Sequence, residues 1–188
     1  ELLDLNTCEI LLFNRELNMK TGILKRTFKA KMTNGISIDV VAERFCSLKN
    51  KNLGLLRYQI KADQNVQIKV DSYLDGKVHN QDANYDEYFW EDLNSGIENE
   101  VNFIHQKTRK TNFEVVAATK SIFTTSEQTI VPILSNDIGE AHSEIIVELT
   151  ANAALEITKY VAITTDLYFD ALQLVPTVLG IVNKECNI

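Results

Sequence analysis

Along most of the chain, apolar residues recur at every second position. In GILKRTFKAKM, residues 22–32, Leu24, Phe28, Ala30 and Met32 fall on one parity, and Lys25, Thr27, Lys29 and Lys31 on the other. That alternation predicts a strand with one buried and one wet face. Val66–Val70 alternates in the same way, and Val40-Val41, Phe113–Val116 and Ile145–Leu149 are β-branched, aromatic or alternating runs of strand type. LGLLRYQI, residues 53–60, is apolar on both parities, which predicts a strand in the middle of a sandwich or beneath another layer. ELLDL at residues 1–5 also reads as strand.

Turn residues separate these runs. Asn34-Gly35 stands between two strand-like segments and predicts a hairpin, because both positions tolerate positive φ. Asn18–Gly22 makes a similar break, Asp63-Gln64-Asn65 is expected to close the next hairpin, and Asn136–Gly139 interrupts the chain again. About ten strands at turn spacings near ten residues predict an all-β chain, a large antiparallel β-sandwich.

The period changes after Thr165. Tyr168, Leu172, Val175, Leu179 and Val182 recur every three or four residues, as in an amphipathic helix, with Asp166 as a candidate N-cap. Pro176 predicts a kink or two short helices. The domain expectation is therefore a β-sandwich over 1–166 and a helical segment over 167–188. That segment either links to a further helical domain or folds back on the sandwich.

At 188 residues the chain is long enough to bury roughly 70% of its unfolded surface without staples. Its 26 acidic and 19 basic residues give a net charge of −7, which opposes a polyanion, and no basic stripe is interleaved with aromatics, so nucleic acid is excluded as a partner. The longest apolar run, Leu172–Leu179, is interrupted and far shorter than the roughly 20 residues that span a bilayer, so no membrane is expected either. Cys8, Cys46 and Cys186 have neither disulfide-framework nor zinc spacing and are expected as buried, reduced thiols in a cytoplasmic protein.

The densest chemistry lies in SYLDGKVHNQDANYDEYFWEDL, residues 72–93, which holds six carboxylates, His79 and Trp90. A glycosidic bond needs a carboxylic acid to protonate its leaving oxygen, so Asp75, Asp82, Asp86, Glu87, Glu91 and Asp92 are candidates by type. The plainer reading is solvation: Asp86, Glu87, Glu91 and Asp92 are spaced to share one face of a short helix opposite Tyr85, Phe89 and Leu93. Tyr73, Tyr85, Tyr88 and Trp90 could offer faces to a sugar or pin the loop to a sheet. His79, His105 and His142 need the fold to bring them together for acid–base work. Lys107–Lys110 could attract phosphate, yet lies where a hairpin tip is expected.

In order, RELNMKTGILKRTF, ERFCSLKNKNLGLLRYQI and SYLDGKVHNQDANYDEYFW resemble the amino-terminal domain of the family 65 glycoside hydrolases and phosphorylases. The likeness covers residues 2 to about 165. Within the family, the LDG-V-N stretch with the following Asp-Ala-Asn-Tyr run is most similar to phosphorylases acting on maltose. The resemblance implies a super-sandwich of the galactose mutarotase-like kind, with the front strands of the domain missing. It also implies an (α/α)₆ catalytic barrel as the domain's own partner, bearing the general acid and the phosphate site. On that basis the chain is a non-catalytic domain contributing packing, homodimer contacts and the rim of a disaccharide pocket. Asp75, Asn80, Asp82, Tyr85 and Trp90 are the rim or interface candidates. No catalytic residue, metal or cofactor is expected in the chain, and inorganic phosphate is a co-substrate of the full-length enzyme. A stand-alone carbohydrate-binding module, a sandwich epimerase using two of the histidines, and a family 65 trehalose or kojibiose phosphorylase or hydrolase are the alternatives.

Overall fold

The computed structural model describes residues 1–78, 88–126 and 128–186. Its strands are β1 (Glu9–Asn18), β2 (Ile23–Lys31), β3 (Ser37–Cys46), β4 (Leu53–Ala62), β5 (Val66–Asp75), β6 (Trp90–Glu98), β7 (Val101–Thr108), β8 (Glu114–Thr124), β9 (Thr129–Ile130), β10 (Ile133–Asp137), β11 (Glu140–Leu149) and β12 (Ala154–Thr165). Among the described residues they form a nine-stranded sheet, ordered β1-β2-β3-β4-β12-β8-β7-β6 with β9 on β8, and a three-stranded sheet, β10-β11-β5. Every pairing is antiparallel, as the alternation predicts.

The Asn34-Gly35 hairpin forms between β2 and β3, with Phe28 opposite Val40 and Gly35 at φ +88°. The breaks at 18–22 and 136–139 also close hairpins, β1 with β2 and β10 with β11. The turn at 63–65 does not. Only three residues separate β4 from β5, but the two strands belong to different sheets. Asp63 Oδ1 accepts from Ser37 N at 2.9 Å, and Asn65 Oδ1 accepts from Ala151 N at 2.9 Å. The turn therefore ties two strand ends at a corner where the chain changes layer.

Residues 1–5 are not a strand; Leu3 and Leu5 pack as a flap on Phe28, Ala30, Met32, Ile38, Val40 and Ala62. The inward face of the large sheet meets the small sheet through Phe123, Ile145, Leu149, Leu155 and Ile157. The outward face of β7, β8 and β12 is covered by α1 (Leu174–Cys186), whose Leu174, Val178, Leu179 and Val182 lie on Val101, Phe103, Val116, Ala118 and Ala162. β4 takes the central position its apolar run predicts, between β3 and β12, with most of its side chains half-buried.

Asp166 is not the helix cap. Asp170 accepts from Leu172 N at 2.9 Å and starts a 3-10 turn, Ala171–Gln173, that runs into α1. Pro176 falls in the first turn of α1, where its missing N–H removes no intrahelical bond, so one helix forms instead of two. Tyr168 and Leu172 are exposed; the buried stripe starts at Leu174. No helix among the described residues is long and apolar enough to cross a membrane.

The cysteines depart from expectation, since Cys46 is exposed and Cys8 and Cys186 are half-buried. Burial pushes the Cys186 thiol up to about 11. At pH 8 that leaves about a hundredfold less thiolate than an unshifted thiol would carry. A disulfide reagent at pH 8, followed by timed mass spectrometry, is expected to modify Cys46 first and Cys186 last. Equal rates at the two would contradict the burial argument.

Candidate functional site

The stretch 72–93 leaves the small sheet at the end of β5 and enters the large one at β6, so its described ends lie in different layers. Asp75 is exposed at the end of β5 and accepts from Lys77 N at 2.8 Å, closing a tight turn. Gly76 is buried; its N–H donates to the Gly139 carbonyl at 2.8 Å, and its own carbonyl accepts from Gln106 Nε2 at 2.9 Å. Gln106 also donates to Asp92 Oδ1 at 2.7 Å. Gly139, at φ +72°, lies so close to Asp92 that a Cβ there would stand 2.8 Å from both carboxylate oxygens. Lys77 Nζ pairs with Glu140 at 3.0 Å, and that hydrogen bond holds its ammonium above the usual lysine range.

The helix expected near residue 90 does not form; Trp90 opens β6, half-buried, opposite Thr108. Consecutive strand residues point to opposite faces. Glu91 accordingly reaches Lys107 at 3.5 Å, while Asp92 turns to Gln106. His79, Asn80, Asp82, Tyr85, Asp86 and Glu87 lie outside the described residues.

Beside this root runs a groove of about 380 Å³ lined by Asp92, Leu93, Asn94, Ser95, Asn136, Asp137 and Ile138. Ser95 Oγ donates to the Asp137 carbonyl at 2.7 Å, which stitches β6 to the β10–β11 turn. Its carboxylates and amides suit a hydroxyl-rich ligand. Asp92, however, is already committed to Gln106 and packed on Gly139. Sequence reasoning placed Asp92 among solvated acids and did not pick out Gly76, Gln106 or Gly139. Gly76 and Gly139 carry only a turn signal, which marks turns of every kind, and Gln106 carries none.

The two described histidines do not converge. His105, on β7, pairs with Glu114 at 2.9 Å. His142, on β11 of the other sheet, pairs with Asp71 at 2.9 Å and stacks on Tyr73 at 5.5 Å. Lys107–Lys110 spans the end of β7 and its hairpin turn, as expected, with Lys107 engaged by Glu91. Among the described residues no group of three or more His, Cys, Asp or Glu could hold a metal ion.

A family model described as glycosyl hydrolase family 65, N-terminal domain, matches residues 1–180. Maltose phosphorylase of Bacillus subtilis (strain 168) is 35% identical over 114 residues, which are 60% of this chain and 15% of that protein. Alpha,alpha-trehalose phosphorylase of Thermoanaerobacter brockii is 27% identical over 195 residues, 98% of this chain and 25% of that protein. A solved structure assigned to a kojibiose phosphorylase from human microbiome superposes with a TM-score of 0.88 at 19% identity, covering 100% of this chain and 24% of that one. That likeness shows the β-sandwich fold. The chain thus spans a quarter or less of the length of these relatives.

Proposed function

The chain belongs to glycosyl hydrolase family 65 as an N-terminal domain, and from that premise we propose that it serves an inverting disaccharide phosphorylase as its non-catalytic sandwich. The whole enzyme, in this reading, acts on maltose, giving β-glucose 1-phosphate and glucose. Phosphate is the nucleophile, so one carboxylic acid suffices and no metal is required. The domain supplies packing for the catalytic domain, dimer contacts and the rim of the sugar pocket. Asp75 and Trp90, with Asn80, Asp82 and Tyr85 from the intervening segment, are its rim residues. A cytoplasmic location goes with this reading.

The observation that carries it is the use to which the acid-rich stretch puts its carboxylates. Asp75 caps a turn, Glu91 pairs with Lys107, and Asp92 packs on Gly139 and Gln106. Those are structural duties for the three described acids of the stretch, which supports a reading in which the reacting acid belongs to another domain. The identity of 35% to a maltose phosphorylase favours maltose over trehalose as the substrate.

The 188-residue chain, incubated with maltose and inorganic phosphate, is expected to release no glucose above the blank. The protein encoded by its full reading frame is expected to release glucose from maltose only when phosphate is present, and to leave trehalose and kojibiose intact. Turnover by the 188-residue chain alone would refute the assignment. Phosphate-dependent cleavage of trehalose instead would correct the substrate.

A further inference from the structure

Two pairs in the chain, Asn34-Gly35 and Asp75-Gly76, carry the same latent chemistry. A backbone nitrogen can close on the side-chain carbonyl carbon of the residue before it, forming a five-membered succinimide ring. The closure is quickest where the residue supplying the nitrogen is glycine, which has no Cβ to crowd the approach. Every other asparagine and aspartate in the chain is followed by a residue with a side chain. Sequence marks both pairs alike; their surroundings set them apart.

Thr33, Asn34 and Gly35 stand exposed at the tip of the β2–β3 hairpin. Met32 N donates to the Ile36 carbonyl at 2.8 Å, and Gly35 N donates to the Met32 carbonyl at 2.9 Å. Gly35, at φ +88°, completes the turn as its left-handed residue. Two bonds hold the reacting groups: that of Gly35 N, and one from Ile36 N to Asn34 Oδ1 at 3.1 Å. Glu1 Oε1 accepts from Thr33 N at 3.1 Å beside them. Opening this tip moves no buried side chain, since residues 33–35 are all exposed and nothing lies within 4 Å of a Cβ built on Gly35. The other pair is held differently. Gly76 is buried, its N–H donates to the Gly139 carbonyl at 2.8 Å, and its own carbonyl accepts from Gln106 Nε2 at 2.9 Å. Its nitrogen is freed only if the end of β5 leaves Gly139 and the buried Gln106 gives up Gly76 as well.

We propose that Asn34 is the site at which this chain deamidates spontaneously, gated by opening of the hairpin tip, while the fold locks Asp75-Gly76 against the equivalent isomerisation. Gly35 N gives its proton to solvent and bonds to Asn34 Cγ; the Cγ–Nδ2 bond breaks and the nitrogen leaves as ammonia. Water then opens the ring at either carbonyl, leaving aspartate or isoaspartate. Overall one water is consumed and one ammonia released, with no oxidant or cofactor. The aspartate product keeps the chain length and an acceptor for Ile36 N, so the hairpin survives it. The isoaspartate product routes the main chain through the side-chain carbon and lengthens the turn by one methylene. The register of Lys31 opposite Ser37 and Ala30 opposite Ile38 belongs to the shorter turn. Ala30, Met32 and Ile38 lie in the buried cluster on which Leu3 and Leu5 pack, so a change at the exposed tip reaches an apolar core.

The test ages the 188-residue chain in mildly alkaline buffer, folded in one sample and unfolded in guanidinium chloride in another. Timed tryptic digests are read by mass spectrometry, and isoaspartate is scored by methyl transfer from an isoaspartate methyltransferase. The tryptic peptide 32–44 contains Asn34 as its one asparagine, and the peptide 70–77 contains Asp75. In the folded chain, conversion is expected first in 32–44, about tenfold slower than in the unfolded chain because the tip must open locally. Isoaspartate in 70–77 is expected only in the unfolded sample. The isoaspartate-bearing chain is expected to unfold at a lower denaturant midpoint than the Asn34→Asp variant, which reproduces the other product. The proposal is overturned if another asparagine of the folded chain converts before Asn34, or if folded and unfolded chains convert Asn34 equally fast. It is also overturned if the folded chain never converts Asn34 while the unfolded one does, or if Asp75 isomerises as fast folded as unfolded. Equal midpoints for the isoaspartate chain and Asn34→Asp would overturn the link from the tip to the buried cluster.

Discussion

Replacing Gly139 by alanine is expected to destabilise the chain by about 2–4 kcal/mol. Two costs coincide at this position. The φ of +72° is a left-handed conformation that an L-residue adopts only with strain, worth about 1–2 kcal/mol. The added Cβ would also meet Asp92 Oδ1 and Oδ2 at 2.8 Å. Asp92 cannot simply swing aside, because Gln106, itself buried, holds its carboxylate at 2.7 Å and holds the Gly76 carbonyl as well. Gly35 separates the two costs. It has φ +88° but nothing within 4 Å of its Cβ position, so Gly35→Ala should cost only the strain, about 1 kcal/mol. In an Asp92→Ala background Gly139→Ala should likewise fall to the strain alone. Urea unfolding of the four-variant cycle decides it, and an equal cost in both backgrounds would show that the carboxylate contact carries nothing.

The parts of the molecule legible in the sequence are those whose signals are local. The β2–β3 hairpin was readable because Asn34-Gly35 and the flanking alternation are local signals that agree. The turn at 63–65 misled because an Asx-rich link looks the same whether it closes a hairpin or crosses between layers. The difference lies in Ser37 and Ala151, which are distant in sequence. Residues 85–93 fit a helical period through four acids and three apolar residues, whereas from Trp90 onward β6 is fixed by pairing with β7, a tertiary fact. At the helix, the period located α1 but not its start, because a cap at Asp166 and one at Asp170 are equally good chemistry. The candidate site followed the same division. The acidic stretch was visible by composition, but the role of Asp92 depends on Gly139 and Gln106, which the sequence places 47 and 14 residues away.

Truncating Phe123 to alanine is expected to cost about 3–5 kcal/mol, against a total of about 5–15 kcal/mol for a domain of ordinary stability. Phe123 is fully buried on β8 and sits between the sheets with Ile145, Leu149, Leu155 and Ile157. Elsewhere the two sheets meet through polar pairs, Ser72 with Ser121 at 2.8 Å and Asn102 with Ser143 at 2.9 Å. Such pairs contribute about 1 kcal/mol each and cannot replace lost apolar contact. The adhesion of the small sheet is therefore concentrated in the cluster that loses the ring. β8 also presents Val116 and Ala118 outward beneath α1, so one strand belongs to both apolar layers. If that shared strand makes the layers one cooperative unit, the helical circular dichroism signal and the Trp90 fluorescence should shift to the same lower denaturation midpoint in Phe123→Ala. A helix signal that kept its original midpoint while the fluorescence moved would show that α1 and its strands hold together without the inter-sheet core.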